Sequence, residues 1–290
     1  NYPADRERVD DSVPWVNNPQ SGDLPDYWAT QASIESQIQQ NLDWAEANNL
    51  PNFDPTELVS GEHSGLRMLP TEQQPIDSPE LGPALDARGI LFTASDASRD
   101  PDTRTVDNSS TQTVPRYPMN IFFNAGKFID QVDEYNWIYA EDDPDTAVKE
   151  GNCVDTSTTT CMAAPLAAGN NSQAEASFNS YIVPLEARKA LSFVLTNDPR
   201  PFYAHQSNLA EDGILYPVLN ELLGVYNSTY DKTVTPLVQT GLTGQYQALK
   251  RLSDWQSDSA SVEAYVDATG VHIPASSARV PVTVPAGSTG

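Results

Sequence analysis

The chain has 290 residues, of which 16 are Lys or Arg and 40 are Asp or Glu, for a formal net charge of −24. Hydrophobic residues make up 39% and aromatics 9%, too many for a disordered solvating chain, and no apolar run approaches the roughly 18 residues a membrane helix needs. Such a charge repels a phosphate backbone, so nucleic acid is a poor partner, and the plainest reading is the acidic surface of an exported or salt-adapted protein.

Residues 1–32 are polar and Pro-rich, with Trp15, Tyr27 and Trp28 as isolated anchors, and read as an irregular segment. Ile34, Ile38, Leu42 and Ala45 then recur at helical spacing, with Ser33 able to cap the start and Asn48, Asn49 and Pro51 to stop the helix. ELVSGEHSGL reads as a short buried strand running into a turn framed by Gly61 and Gly65. Pro70, Pro75, Pro79 and Pro83 mark a loop leading into a short helix, SPELGPALDARG, closed by Gly89. ILFTASDAS follows as a strand that ends in small polar residues and Asp96. TVPRYPMNIFFNA and DEYNWIYAE read as extended segments, and residues 141–173 as a long polar excursion.

ASFNSYIVPLEARKALSFVLTN reads as a helix with Pro184 in its early turns. DPRPFYAHQSNL is a strand-to-loop unit, while EDGILYPVLNELLGVYNSTY and residues 241–257 are amphipathic helices. The tail, residues 258–290, alternates apolar and polar residues around turns and suggests a β-hairpin or small β-module. No internal repeat is visible. The helix–strand alternation argues for an α/β layer or barrel over residues 33–257, in which functional side chains gather at the C-terminal ends of strands.

Cys153 and Cys161 enclose seven polar, Thr-rich residues, which suggests a local disulfide closing a surface loop; two free thiols are the alternative. No His lies near them, so a metal site there is not indicated. Asn108, Asn170 and Asn227 open glycosylation sequons. The chain opens at Asn1 without Met, which reads as a processed or partial chain.

Three histidines carry most of the chemical interest. His63 stands in Gly61-Glu62-His63-Ser64-Gly65 at a strand end, beside a carboxylate and a hydroxyl, and is either a ligand-binding residue or a structural histidine satisfied by backbone. His205, in Tyr203-Ala204-His205-Gln206-Ser207-Asn208, is followed by side chains able to hydrogen-bond a sugar or amide, and an imidazole there could protonate a leaving amine. His272, in mid-strand, reads as a packing or surface residue. Asp96 could orient a histidine or bind a sugar hydroxyl, or simply cap its loop. Arg116, pinned between Pro115 and Pro118, could lock a carboxylate or grip substrate oxygens. Asn120 and Asn124, with Tyr135, Trp137 and Tyr139, would suit a sugar-binding surface or a core. There is no G-x-S-x-G, P-loop or G-x-G-x-x-G.

Several of these segments together, QIQQNLDWAEANNLPNFDPTELVSGEHSGL, GILFTASDAS, VPRYPMNIFFN, SYIVPLEARKAL and above all NDPRPFYAHQSNLAEDGILYPVLNELL, resemble the secreted polysaccharide-deacetylase family that includes the fungal galactosaminogalactan deacetylase and bacterial relatives. The resemblance runs from about Ser33 to the C-terminus. It implies a distorted (β/α) barrel of the NodB-like type and metal-assisted hydrolysis of acetamide groups on an amino-sugar polymer, at the cell surface or outside it. By this resemblance a divalent ion, usually zinc, lowers the pKa of an attacking water. His205 matches the acid, Asp96 and residues 61–65 fall where motifs line the substrate groove, and Arg116 matches the arginine that tethers the base. His63, Ser64, Asn120, Tyr203 and Asn208 are then expected at the substrate. The family also needs an early Asp-Asp pair and an H-(S/T)-x-x-H motif; no histidine precedes His63, and Asp10-Asp11 lies too close to the helix at Ser33. Either those ligands belong to a preceding part of a longer protein, or the metal site is lost and the chain is a non-catalytic carbohydrate-binding or structural protein.

Overall fold

The computed structural model describes residues 28–61, 63–67, 76–139, 171–260 and 262–273. The expectations for residues 1–27 of the opening segment, for Asp10-Asp11, for the cysteine pair and for the sequon at Asn170 lie outside the described residues; of the rest of that segment, Trp28 is buried and Gln31 already opens a helix. The architecture is mixed α/β, as the alternation of elements suggested. Its sheet is four-stranded, parallel and strongly curled, like half of a barrel. The strands are β1 (Glu57–Leu58), β2 (Phe92–Asp96), β3 (Gln112–Pro118) and β4 (Phe202–Tyr203), neighbours in that order. Glu57 pairs with Phe92, Phe92 with Gln112, and Asp96 with Arg116. No helix among the described residues is long and apolar enough to cross a membrane.

The chain falls into two compact units. The first takes residues up to 117, 199–201 and 238 onward. Helix α1 (Gln31–Ala47) starts earlier than the sequence suggested. Thr30 is the cap, and its hydroxyl accepts from the amide of Ser33, the residue expected to do the capping. Ile38 of α1 packs with Leu81 and Leu85 of α2 (Leu81–Ala87), joined by Leu66, Ile90 and Val106. A Cβ at Gly82 would lie 2.2 Å from the carbonyl oxygen of Asp107, so only glycine lets α2 approach that turn.

Helix α7 (Leu242–Ser259) packs Leu242 and Leu249 on Ala94 of β2 and Val114 of β3. Its cap comes from elsewhere in the chain. The Glu57 carboxylate accepts from the amides of Leu242 and Thr243, both at 2.8 Å, placing a negative charge at the positive end of the helix. Gly241 precedes it, where any Cβ would sit 2.6 Å from that carboxylate. The expected hairpin forms as β5 (Tyr265–Asp267) and β6 (Gly270–His272), antiparallel, with the Tyr265 and His272 rings stacked at 4.6 Å.

A buried ion cluster ties the loops of this unit. Asp77, 2% exposed, receives two guanidinium hydrogen bonds from Arg104 at 2.6 Å and the amides of Arg67 and Asp107 at 2.8 and 2.9 Å. Asp100 takes the remaining edge of Arg104 and stands 3.6 Å from Arg67 Nε. Burial alone would raise the Asp77 pKa, but the Arg104 bonds and the two amides outweigh it and hold the carboxyl below its ordinary value.

The second unit takes residues 118–198 and 202–237. Here the aromatic segment expected to be extended is instead part of α3 (Phe128–Tyr139). Val132 and Tyr135 are buried and Phe128 packs beside them, a helical i, i+4, i+7 stripe that outweighs the β-propensity of the aromatics. Helix α4 (Asn171–Ser177) passes through a π turn (Phe178–Ile182) into α5 (Val183–Leu195), and Pro184 falls just after that wider turn, at the first positions of α5. Helix α6 (Leu215–Thr229) packs Leu215, Val218 and Leu222 into the same core as Phe178, Ile182 and Ala187. Asn108 in unit 1 and Asn227 on α6 are both exposed.

Asp77→Asn is expected to cost about 3–5 kcal/mol in urea unfolding at neutral pH, because Arg104 is left buried and half-paired. The native pKa of Asp77 lies below its unfolded value, so its contribution is present above about pH 4 and fades as acid titrates the native carboxylate. The difference between wild type and variant should therefore shrink as the pH is lowered from 7 toward 3.

Candidate functional site

In unit 2, β4 ends at Tyr203, and His205 follows as the N-cap of a short 3₁₀ turn (Gln206–Leu209). The cap is reciprocal. The His205 ring accepts from the Asn208 amide, while Asn208 Oδ1 accepts from the His205 amide at 2.8 Å. Asn208 is fully buried, and its Nδ2 donates to the carbonyls of Phe122 and Ala125, each at 2.8 Å. Ser207 Oγ donates to the Phe123 carbonyl at 2.5 Å. These bonds clamp the turn after β4 to residues 122–125. One ring nitrogen of His205 is thus an acceptor, and in the neutral ring the other carries the hydrogen.

The half-buried His205 ring is flanked by Tyr203 at 5.9 Å and Phe123 at 6.0 Å, both edge to face. Phe123 is 59% exposed, while its neighbour Phe122 packs against the core. The structure therefore groups His205, Tyr203 and Asn208, and adds Phe123, which the sequence reading passed over. The pair Phe122-Phe123 was the available signal: beside a core-facing ring, the second must look the other way. Asn120 is directed elsewhere. Its Nδ2 donates to Glu186 Oε2 at 3.0 Å, and Lys189 completes that buried carboxylate at 2.9 Å.

In unit 1, His63 is 1% exposed, with a left-handed φ of +65°. Its Nδ1 accepts from the Asp96 amide at 2.9 Å, which leaves Nε2 as the donor to the Arg67 carbonyl at 2.6 Å. Burial pushes its pKa below the ordinary value, against the opposing pull of the Arg67 carbonyl and the charges of Asp96 and Asp100. Its ring thus joins the end of β2 to the turn at residues 63–67. Asp96 and Arg116 are register partners at the ends of β2 and β3, and Arg116, 7% exposed, donates Nε to the Ser95 carbonyl at 3.3 Å. Ser64 is half-buried in the same turn. The Ser95 hydroxyl is fully buried and has no hydrogen-bond partner among the described residues.

Among the described residues, no group of three or more His, Cys, Asp or Glu side chains is placed to hold a metal ion. No family model matches the chain, and no curated protein or solved structure matches it.

Asn208→Ala should lower the stability by about 2–4 kcal/mol in denaturant unfolding, since the His205 amide and the Phe122 and Ala125 carbonyls lose a buried partner. For His63, the native pKa is below the unfolded one, so the unfolded chain takes the proton first and acid removes stability below about pH 6.5. His63→Ala is expected to be less stable at pH 7.5 and to show a flatter dependence of Tm on pH between 7.5 and 5.5.

Proposed function

We propose that this chain is a secreted or cell-surface, polysaccharide deacetylase-like protein directed at a polymer of N-acetylated amino sugars, and that its sheet belongs to a distorted barrel of the NodB-like type. The observation that carries the reading is the placement of His205. It directly follows a parallel strand, where barrel folds collect their functional groups, on a turn fixed by Asn208 and between two aromatic rings. A sugar ring offers an apolar face for stacking on Phe123 and polar groups for the imidazole.

In amide hydrolysis the water oxygen bonds to the acetamide carbonyl carbon, the carbon–nitrogen bond breaks, acetate departs and the sugar nitrogen gains a proton. His205 would supply that proton or hydrogen bond from the ring nitrogen that does not accept from Asn208. Hydrogen-bond donation needs no change in the ring. Proton delivery needs the doubly protonated ring, which cannot accept from the Asn208 amide and so must release half of its cap. The divalent ion that the resemblance implies does not fit the described residues, and no step is assigned to it.

That same misfit favours a second reading, in which the protein binds the polymer without hydrolysing it. Acetate release from an N-acetylated hexosamine polymer, measured with and without added zinc, separates the two. The first reading expects release, and a fall of about 100-fold or more in His205→Ala with Tm preserved. Polymer binding with no release selects the second, and the absence of both removes both.

A further inference from the structure

In unit 1, a cavity of about 620 Å³ is lined by α1, β1, the loop at residues 52–54 and the start of α7. That volume suits a small organic ligand or a short oligosaccharide. Its apolar side is formed by Ile38, Leu58 and Leu81. Gln37 and Asn41, one turn apart on α1, supply amides, and Phe53, 43% exposed, supplies an aromatic ring. None of these residues belongs to the His205 cluster.

The charge of this lining is one-sided. Among the described residues that line it, Asp54 and Glu57 are charged and none is Lys, Arg or His. Glu57 is already turned toward the amides of α7. Asp54 is not so occupied. Thr56 donates its amide and its hydroxyl to Oδ1, at 2.9 and 2.7 Å, and among the described residues no donor reaches Oδ2. These bonds keep the Asp54 carboxylate ionised to a lower pH than usual.

We infer that this cavity binds a short saccharide bearing free amines. An anionic ligand would meet two carboxylates with no counter-charge. An ammonium group finds a partner in Asp54, while Phe53 can stack on the apolar face of a sugar ring and attract the cation through its quadrupole. Gln37 and Asn41 hydrogen-bond the hydroxyls. The choice of a sugar rests on the function proposed above, and the choice of a cation rests on the cavity itself.

The test is calorimetric titration of the protein with glucosamine oligomers, N-acetylglucosamine oligomers of equal length and oligogalacturonate. Glucosamine oligomers should bind, about tenfold or more tighter than the N-acetylated series and more weakly as salt rises, while oligogalacturonate should not bind. Asp54→Asn should weaken glucosamine binding about 5–10-fold and remove much of its salt dependence, whereas Phe53→Ala should weaken binding and leave the salt dependence intact. Both side chains are exposed, so Tm should hold; Gln37→Ala, also exposed on α1, is a third probe if either substitution shifts it. Equal or tighter binding of the N-acetylated oligomers, binding indifferent to all the substitutions, or no binding of glucosamine oligomers overturns the inference. Acetate release by the unaltered chain is read separately, so absence of glucosamine binding with release retained defeats the cavity proposal alone.

Discussion

The first unit is organised around one carboxylate. Asp77 accepts from both terminal nitrogens of Arg104 and from the amides of Arg67 and Asp107, so two separate stretches of chain, at residue 67 and at residues 104–107, meet on its two oxygens. Burial of an ion is costly unless every lone pair finds a donor, and here the site is well supplied. The consequence passes outward through the backbone. With the Arg67 amide fixed, the Arg67 carbonyl is positioned to receive the His63 ring, and the other side of that ring receives the amide of Asp96. The end of β2 and the turn at residues 63–67 are therefore located by a continuous run of hydrogen bonds that begins at Asp77. This accounts for the left-handed backbone of His63, which an isolated turn would disfavour.

The second unit solves a similar problem with a neutral group. The Asn208 side chain accepts one bond from the capping residue of its own turn and donates two to the carbonyls of residues 122 and 125. An amide offers both donors and acceptors without the desolvation cost of a charge. It thus couples the position of His205 to that of Phe123. The imidazole and the exposed ring share one support, and a functional role for either draws on the same buried side chain.

The parts of the fold that were legible in the sequence are those set by local pattern. The stripes of α1, α6 and α7, the strand ending at Asp96 and the turn of the C-terminal hairpin could all be read from spacing and turn residues. The start of α1 could not be placed, because Thr30 and Ser33 are both good caps and only the fold selects between them. Helix α3 was hidden by Tyr135, Asn136 and Trp137, whose types favour strands and turns, although Phe128, Val132 and Tyr135 carried the helical spacing. At the candidate site, the sequence marked His205 and Asn208 but not their mutual cap, and it marked His63 without its partners. Those partners are the amide at 96 and the carbonyl at 67, groups every residue possesses, so no side-chain pattern could announce them. Glu57 capping a helix 185 positions away was equally invisible.

The two outer strands of the sheet, β1 and β4, are only two residues long. A sheet margin that brief presents few unpaired amides to a second molecule, which is how soluble proteins discourage edge-to-edge growth. Together with mutual repulsion between molecules of charge −24, this opposes fibril-like stacking through the sheet even at high protein concentration, and shifts the burden of any self-assembly onto helices or loops.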